Sequence, residues 1–338
     1  MVDLEQRGIL RNNRGVALLL AVTVISLLVA VTVQFSKDMR QELMSSANLL
    51  VSSRMAIMAK SGYNLAVALL EEDDGENQYD SFHDIWAQLE NQDFSNLYGR
   101  GKLDIAIADL SGRLQLNSLV STSGQGGGNA AANKNREILQ ELLLGVGQDE
   151  MSDEDAEMIV NAIVDWIDAD DQESGIVETE SSYYRSLEPS YTCRNGPMEF
   201  IEELLLIRGI TSDLYYGNDA FPGLRHLVTV YGNDGKININ TASADILQAL
   251  SKDMTTEFVQ ELLDFRLQSE NKDQLQNPQW YKNLPWGQVI DLGNSVGTSS
   301  RFFTVKVTAE QDQMRKTLTT VVERQKGSIP TIVSRKIE

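Results

Sequence analysis

The chain has 338 residues, 42% of them hydrophobic and 23% charged, which suits about one to three globular domains and not a disordered polymer. With 29 Lys and Arg against 49 Asp and Glu, the formal net charge is −20, opposing both a nucleic-acid interface and adsorption to anionic lipid. One cysteine, Cys193, excludes an intrachain disulfide and a cysteine zinc site, and His83 and His226 are too few for histidine-rich metal catalysis.

At the N-terminus, Val16 to Val33 is a run of 18 residues with no charge, glycine or proline. As a helix it spans about 27 Å, one hydrocarbon core. Arg7, Arg11 and Arg14 precede it, so the N-terminus is expected in the cytoplasm and the bulk of the chain beyond the membrane. A cleaved secretory signal would need a small-x-small site after the run, and VQFSKDM offers none. A plain signal anchor fits the apolar run equally well. The junction Arg14-Gly15-Val16 resembles the type III signal of type IV pilins and type II secretion pseudopilins. That resemblance implies cleavage by the prepilin peptidase between Gly15 and Val16, with methylation of the new N-terminus and retention of the helix. The fifth mature position, usually Glu, is Leu20 here.

From Gln34 to Leu70 there is no proline, and Phe35, Met39, Leu43, Ala47, Leu50, Met58, Leu65 and Leu69 hold one apolar stripe of a helix. A continuous helix over 16–70 is therefore expected, roughly 80 Å long. It is ended by Glu71-Glu72-Asp73-Asp74-Gly75. Lys102 to Leu110 alternates with period two, Ser111-Gly112 turns, and Arg113 to Leu119 answers, which predicts a hairpin. The Gly-rich stretch Ser121 to Asn129 marks a boundary. Helices are expected over Asn133–Leu144, Ser152–Ile167 and Pro197–Ile207, then strands over Leu227–Tyr231 and Lys236–Asn240 joined by Gly232-Asn233-Asp234-Gly235. Further helices fit Ser243–Leu250 and Thr256–Leu267, and a hairpin of Phe302–Ala309 with Lys316–Arg324 closes the pattern. Strand pairs thus bracket helical blocks: an α+β chain, a sheet domain with a large inserted helical domain.

The charge is concentrated. Asp149 to Glu203 holds 17 acidic residues and two basic ones, Arg185 and Arg194, a local charge of −15. Within it, Asp165-Trp166-Ile167-Asp168-Ala169-Asp170-Asp171-Gln172-Glu173 places acids after a predicted helix end, where a loop lets them converge on one point. Glu178 and Glu180 supply further carboxylates. Oxygen-only ligands suit Ca²⁺, although the spacing is not that of an EF-hand. A solvated acidic loop without metal is the plainer alternative.

DWIDADD, then Tyr183-Tyr184, Pro189-Ser190-Tyr191, Asn195-Gly196-Pro197, the EELLLIRGIT run from Glu202 to Thr211, the RGVALLL junction and Ile237-Asn238-Ile239-Asn240-Thr241-Ala242 together resemble general secretion pathway protein K. This is the large minor pseudopilin of the type II secretion system. The resemblance covers Arg14 to Arg324 and leaves the tail from Gln325 unaccounted for. It implies a pilin-like long N-terminal helix packed on an antiparallel sheet, interrupted by a large, mostly helical inserted domain. The corresponding division is a leader 1–15, the helix 16–70, a first sheet part 71–120, the helical insertion 121–222, strands 223–241, a second helical segment 242–300, a C-terminal hairpin 301–325 and a tail 326–338. The resemblance further implies a non-enzymatic role, capping the periplasmic tip of the pseudopilus with the minor pseudopilins I and J in support of protein export. The chain would be a single-pass inner-membrane protein whose bulk is periplasmic. Family members bind calcium in the helical domain, and the ligand roles carry over to Asp168, Asp170, Asp171, Glu178 and Glu180. A subunit with Leu20 forgoes the pairing of a fifth-position Glu with a neighbour's N-terminal amine, as a terminal subunit can.

Two rival readings come from other classes. KININTASADILQAL also resembles the opening of helix-hairpin-helix domains of DNA-uptake proteins, which would make the chain a membrane-anchored periplasmic DNA binder. Ser251-Lys252-Asp253-Met254 stands where the Gly-rich hairpin of those domains would be, and the net charge opposes DNA. A membrane-anchored hydrolase would need paired acids such as Asp168 and Asp170, yet no nucleophile elbow, HExxH or phosphate loop accompanies them.

Overall fold

The computed structural model describes residues 14–76, 78–89, 92, 94, 99, 101–121, 128–147, 151–218 and 221–338. The leader residues 1–13 and the Gly-rich stretch 122–127 lie outside the described residues. Two units are distinguished, Met1–Ile57 and Met58–Glu338, and helix α1 (Arg14–Glu76) contributes to both.

In the first unit, every side chain from Val16 to Val33 is exposed. Among the described residues this helix alone is long and apolar enough to cross a membrane. Two hydroxyls inside the run turn back onto the helix backbone, Thr23 Oγ1 donating to the Leu20 carbonyl at 2.9 Å and Thr32 Oγ1 to that of Leu28 at 2.8 Å. Those groups need no water, the condition lipid imposes on polar atoms.

In the second unit the chain continues through a short helix α2 (Ile85–Gln88) into strand β1 (Lys102–Asp109). A helical block follows: β2 (Leu114–Gln115), α3 (Gly128–Gly147), α4 (Asp153–Ile167), α5 (Ser181–Arg185), α6 (Ser212–Tyr216), β3 (Val228–Thr229), β4 (Ile237–Asn238), α7 (Ala244–Ala249), α8 (Thr256–Leu267) and β5 (Val296–Gly297). The chain then returns to the sheet with β6 (Phe302–Gln311), β7 (Met314–Glu323) and β8 (Thr331–Ile337).

The four-stranded sheet has the order β1-β6-β7-β8, each neighbouring pair antiparallel. Ile105 lies opposite Val307, and Val307 opposite Leu318. Along β6 the alternation demanded by the pleat buries Phe303, Val305, Val307 and Ala309. The end of α1 covers this face with Met58, Ala59, Tyr63, Ala66 and Leu70, a helical stripe. Closest approach falls at Gly62, where a Cβ would stand 2.7 Å from Val307 Cγ1 and 3.3 Å from Ile105 Cδ1. Leu65, expected on the buried stripe, is instead 37% exposed, because the contact face is centred on Gly62 and Ala66.

Several expectations are corrected. β1 pairs with β6 and not with the segment that follows it; Leu114–Gln115 instead runs parallel to Val228–Thr229. The runs 227–231 and 236–240 do not pair with each other, since Ile237–Asn238 lies parallel to Val296–Gly297. Within Pro197–Ile207 the regular structure is a 3₁₀-helix, Ile201–Leu206. The tail left unassigned contains β8, one of the two edge strands of the sheet.

The helical block has its own core, running from Leu114 to Val296 and centred on residues such as Leu139, Ile163, Tyr184, Leu247, Leu262 and Trp280. Its junction with the sheet is polar and buried. Asp109, at the end of β1, accepts from Ser300 Oγ at 2.6 Å and from Thr241 Oγ1. Asn238 Nδ2 donates to Ser300 Oγ at 2.7 Å, and Asn240 Nδ2 to the Asp80 and Leu275 carbonyls, both at 3.1 Å. Arg324 at the end of β7 donates to Asp73 at 2.9 Å, to Asp80, and to the Ser300 carbonyl at 3.0 Å. The alternation Ile237-Asn238-Ile239-Asn240 therefore sends both isoleucines into the core and both asparagines into this junction.

Candidate metal centre

Helix α4 is strongly specified. Ser152 caps it, its hydroxyl accepting from the Asp155 amide at 3.1 Å while the Asp155 carboxylate returns to the Ser152 amide, a capping box. Asp153, Glu154 and Asp155 occupy the first turn, where the helix dipole favours acids. At the other end Trp166 packs edge-on to Tyr184 and Tyr191, ring centroids 5.4 and 6.4 Å away, and fixes the last turn against α5.

That last turn aims Asp165 inward. It is fully buried, its Oδ1 accepting from the Ser174 amide at 2.9 Å and its Oδ2 from the Thr179 hydroxyl. These bonds fold the acidic loop back over the helix end. Asp165, Asp168 and Glu180 then offer carboxylate oxygens all within 4.8 Å of one another. Of the residues expected as ligands, the structure brings Asp168 and Glu180 into this group. Asp170, Asp171 and Glu178 lie outside it and are exposed. Asp170 Oδ1 accepts from the Gln172 amide at 2.9 Å, and Asp171 Oδ1 from Asn195 Nδ2 at 3.1 Å. Glu178 contributes its backbone carbonyl to Arg208 at 2.7 Å.

Electrostatics and hydrogen bonding single out the three-carboxylate group. Both oxygens of Glu180, itself 2% exposed, are buried without a hydrogen-bond partner, as are Asp168 Oδ1 and Asn195 Oδ1. Burial, then the neighbouring Asp165 and Asp168 charges, push the Glu180 carboxyl up to about 7. Burial, then Asp170 and Asp165, push Asp168 up to about 6. Asp171 goes the other way, held below its ordinary value by hydrogen bonds from Asn195 and Ser181. Unmatched carboxylate oxygens of Asp168 and Glu180 gathered in one group are costly unless a proton or a cation supplies the missing charge. Every orphan atom is an oxygen, the donor set of a hard divalent ion such as Ca²⁺. Cys193, whose thiol donates to the Thr179 carbonyl at 3.5 Å, is pushed up to about 12 by burial and by Glu180, so it offers no thiolate to a softer metal. The residues fit calcium.

Two residues of this region, Asp165 in the carboxylate group and Asn195 in the loop that frames it, escaped the set drawn from the sequence. Asp165 sits inside the predicted helix, and only its place on the final turn turns it toward the loop. Asn195 stands at φ 48°, a left-handed conformation that Asn tolerates, and its Nδ2 donates to the Asp170 carbonyl at 2.9 Å. Its position before Gly196-Pro197 is the signal that would have marked it. The helix-hairpin-helix-like run has a different use: Asn238 and Asn240 serve the buried junction, while Lys252, between α7 and α8, pairs with Glu141 at 3.3 Å.

These features define a class: a helix-on-sheet protein of pilin type, its strands β1 and β6 separated by a helical block with an acidic centre. Residues 112–233, about the first two thirds of that block, match the family described as type II secretion system (T2SS), protein K. The chain is 27% identical over 246 residues to a type II secretion system protein K of Pseudomonas aeruginosa strain PAO1, covering 71% of this chain and 68% of that protein. It is 28% identical over 207 residues to the Aeromonas hydrophila protein K, covering 61% of each. In fold it resembles one chain of the GspK-GspI-GspJ complex of the enterotoxigenic Escherichia coli type 2 secretion system, with a TM-score of 0.70 at 17% identity over 87% of this chain and 99% of that chain. The recognition drawn from the sequence, a protein K of type II secretion, is borne out by these matches, and so is the pilin-like α+β fold with its helical insertion.

Proposed function

We propose that this chain is a non-enzymatic minor pseudopilin that caps the periplasmic tip of a type II secretion pseudopilus and supports export across the outer membrane. The observation that carries the reading is the placement of a large helical block between two adjacent strands of a pilin-type sheet. Such a block obstructs stacking of another subunit above it, which suits a terminal position. The solved relative is a complex with GspI and GspJ, and pseudopilins of the I and J types are the partners proposed for this chain.

The exposed apolar run 16–33 anchors the chain in the inner membrane, N-terminus cytoplasmic, after the prepilin peptidase cuts between Gly15 and Val16 and methylates the new end. Asp165, Asp168 and Glu180 would hold one Ca²⁺ in the helical block. When bound, the ion supplies positive charge that offsets the mutual repulsion of the carboxylates. The chain's own residues do the positioning: Ser174 and Thr179 hold Asp165, and Asn195 ties the loop through Asp170 and Asp171. Co-expression of the full chain with I- and J-type pseudopilins, followed by affinity purification in detergent, tests the reading. A stable complex containing all three is expected. Elution of this chain without either partner overturns the proposal.

A further inference from the structure

Strand β8 closes one edge of the four-stranded sheet, and among the described residues no strand lies beyond it. Its inner side is paired with β7: the Thr317 amide donates to the Glu338 carbonyl at 2.8 Å, and the Glu338 amide to the Thr317 carbonyl at 2.9 Å. In an antiparallel ladder such doubly bonded pairs alternate with pairs that exchange no bond. Ile337, opposite Leu318, and Arg335, opposite Thr320, take the unbonded positions, so their amides and carbonyls point outward. An edge of this kind is a template for another strand.

The side chains of β8 define which strand fits. Leu318, Thr320 and Val322 are buried on the face that α1 covers, and their cross-strand partners Ile337, Arg335 and Ile332 share that face. Ile337 is nevertheless 60% exposed and Ile332 49%, so β8 continues the sheet past the cover of α1 as an apolar ledge. Arg335 stands between the two isoleucines, its guanidinium 4.9 Å from the Tyr63 ring centroid, and among the described residues no carboxylate pairs with it. On the other face Lys336 meets Glu338 at 2.6 Å, an exposed pair of little strength. Residues 315–338 hold six basic and two acidic side chains, a local charge of +4 in a chain of net charge −20. The bulge at Val333 and the two cations discourage indiscriminate pairing. The same cations favour a strand that brings carboxylates opposite them and apolar side chains to the ledge. We propose that the open edge of β8 accepts an extended acidic segment of a partner protein as a fifth strand, its backbone bonded to Arg335 and Ile337 and its carboxylates opposite Arg335 and Lys336. This inference does not rest on the tip position proposed above.

The test uses the full chain in detergent micelles and end-blocked heptapeptides carrying fluorescein, with binding read by anisotropy. The acidic probe is Thr-Val-Glu-Glu-Thr-Val-Thr, and a second probe replaces both glutamates by lysine. Two more are the acidic probe N-methylated at one or the other alternate set of residues, which keeps the charge and blocks one edge of the strand. The acidic probe should bind saturably and slow hydrogen exchange in β8. The lysine probe, and one of the two N-methylated probes, should bind about 10-fold more weakly or worse, since a strand pairs along one edge. Arg335→Glu should weaken the acidic probe about 10-fold or more and favour the lysine probe, because a like charge then stands opposite the glutamates. Ile337→Ser, at an exposed position, should also weaken the acidic probe, and it keeps the test open should Arg335→Glu disturb the packing on Tyr63. The proposal is overturned if the acidic probe does not bind, if the lysine probe or both N-methylated probes bind as tightly, or if Arg335→Glu leaves the affinity unchanged. A dimer of this chain that Arg335→Glu dissolves, read by light scattering, would assign the edge to a second copy and overturns it as well.

Discussion

Removing calcium should reverse how stability depends on pH, and Glu180 is where the reversal is read. In the metal-free protein its carboxyl is raised from 4.5 to about 7, mainly by burial and then by Asp165 and Asp168. A carboxyl whose folded value is raised keeps its proton in the folded chain after the unfolded chain has lost it. The associated stability is therefore complete below about pH 4.5 and is lost as pH rises toward about 7. At about 1.4 kcal/mol per pKa unit the full shift is worth roughly 3 kcal/mol, and relaxation of the loop with entry of water on ionisation brings it to about 2 kcal/mol. With a melting response of about 2–4 °C per kcal/mol, the chelator-treated protein should melt about 4–8 °C lower at pH 8 than at pH 5 on account of this group. Bound calcium should invert the trend, because the proposed ligands must be deprotonated to hold it. At a concentration 100-fold above its dissociation constant it adds about 2.7 kcal/mol, so the melting temperature should then be highest near neutral pH. Glu180→Gln should remove most of the calcium response and flatten the pH dependence. Differential scanning calorimetry of the full chain in detergent, with EDTA or millimolar Ca²⁺ from pH 5 to pH 8, reads all of this. The reasoning fails if Glu180→Gln keeps the whole calcium shift, or if calcium leaves the sign of the pH trend unchanged.

Gly62→Val should destabilise the helix–sheet unit by about 1–3 kcal/mol, because its Cβ would stand 2.7 Å from Val307 Cγ1 and the helix must lift off β6; urea denaturation followed by circular dichroism reads the midpoint. Arg324→Met leaves Asp73 and Asp80 buried without their cation and should cost about 3–5 kcal/mol, seen as faster limited proteolysis near the α1–β1 connection. Gly15→Leu should block leader removal, and mass spectrometry of the membrane fraction that still finds Val16 at the N-terminus refutes the type III signal.

What the sequence made legible was the locally determined part. Helix α8 follows from Thr255, whose hydroxyl caps the Phe258 amide at 3.3 Å, and from an amphipathic run with no proline. β6 and β7 follow from two alternating stretches joined by a short turn with Asp312 at φ 57°. The partner of β1 was not legible. Its alternation says strand, but the choice between the adjacent 113–119 and the distant 302–311 depends on where the helical block carries Leu114. The two-residue parallel pairs β2–β3 and β4–β5 were equally out of reach, because so short a ladder leaves no period to read. At the candidate site, the acid-rich loop could be read from composition. Which acids converge is set by Ser174 and Thr179 tying the loop to Asp165, tertiary contacts that no spacing announces.

The helical block leaves β1 after Asp109 and rejoins the sheet at Phe302, and these two points are neighbours: the Leu110 amide donates to the Phe302 carbonyl at 2.9 Å. Topologically the sheet is an ordinary hairpin whose loop happens to be a folded domain. Entry and exit are already held at hairpin distance by the strands, so the block can change length or content at little loop-closure cost to the sheet. The same geometry makes the block exchangeable. A tight turn joining Leu110 to Phe302 would leave the four-stranded sheet continuous, and a different domain spliced at that point would inherit the helix and the sheet without redesign of either.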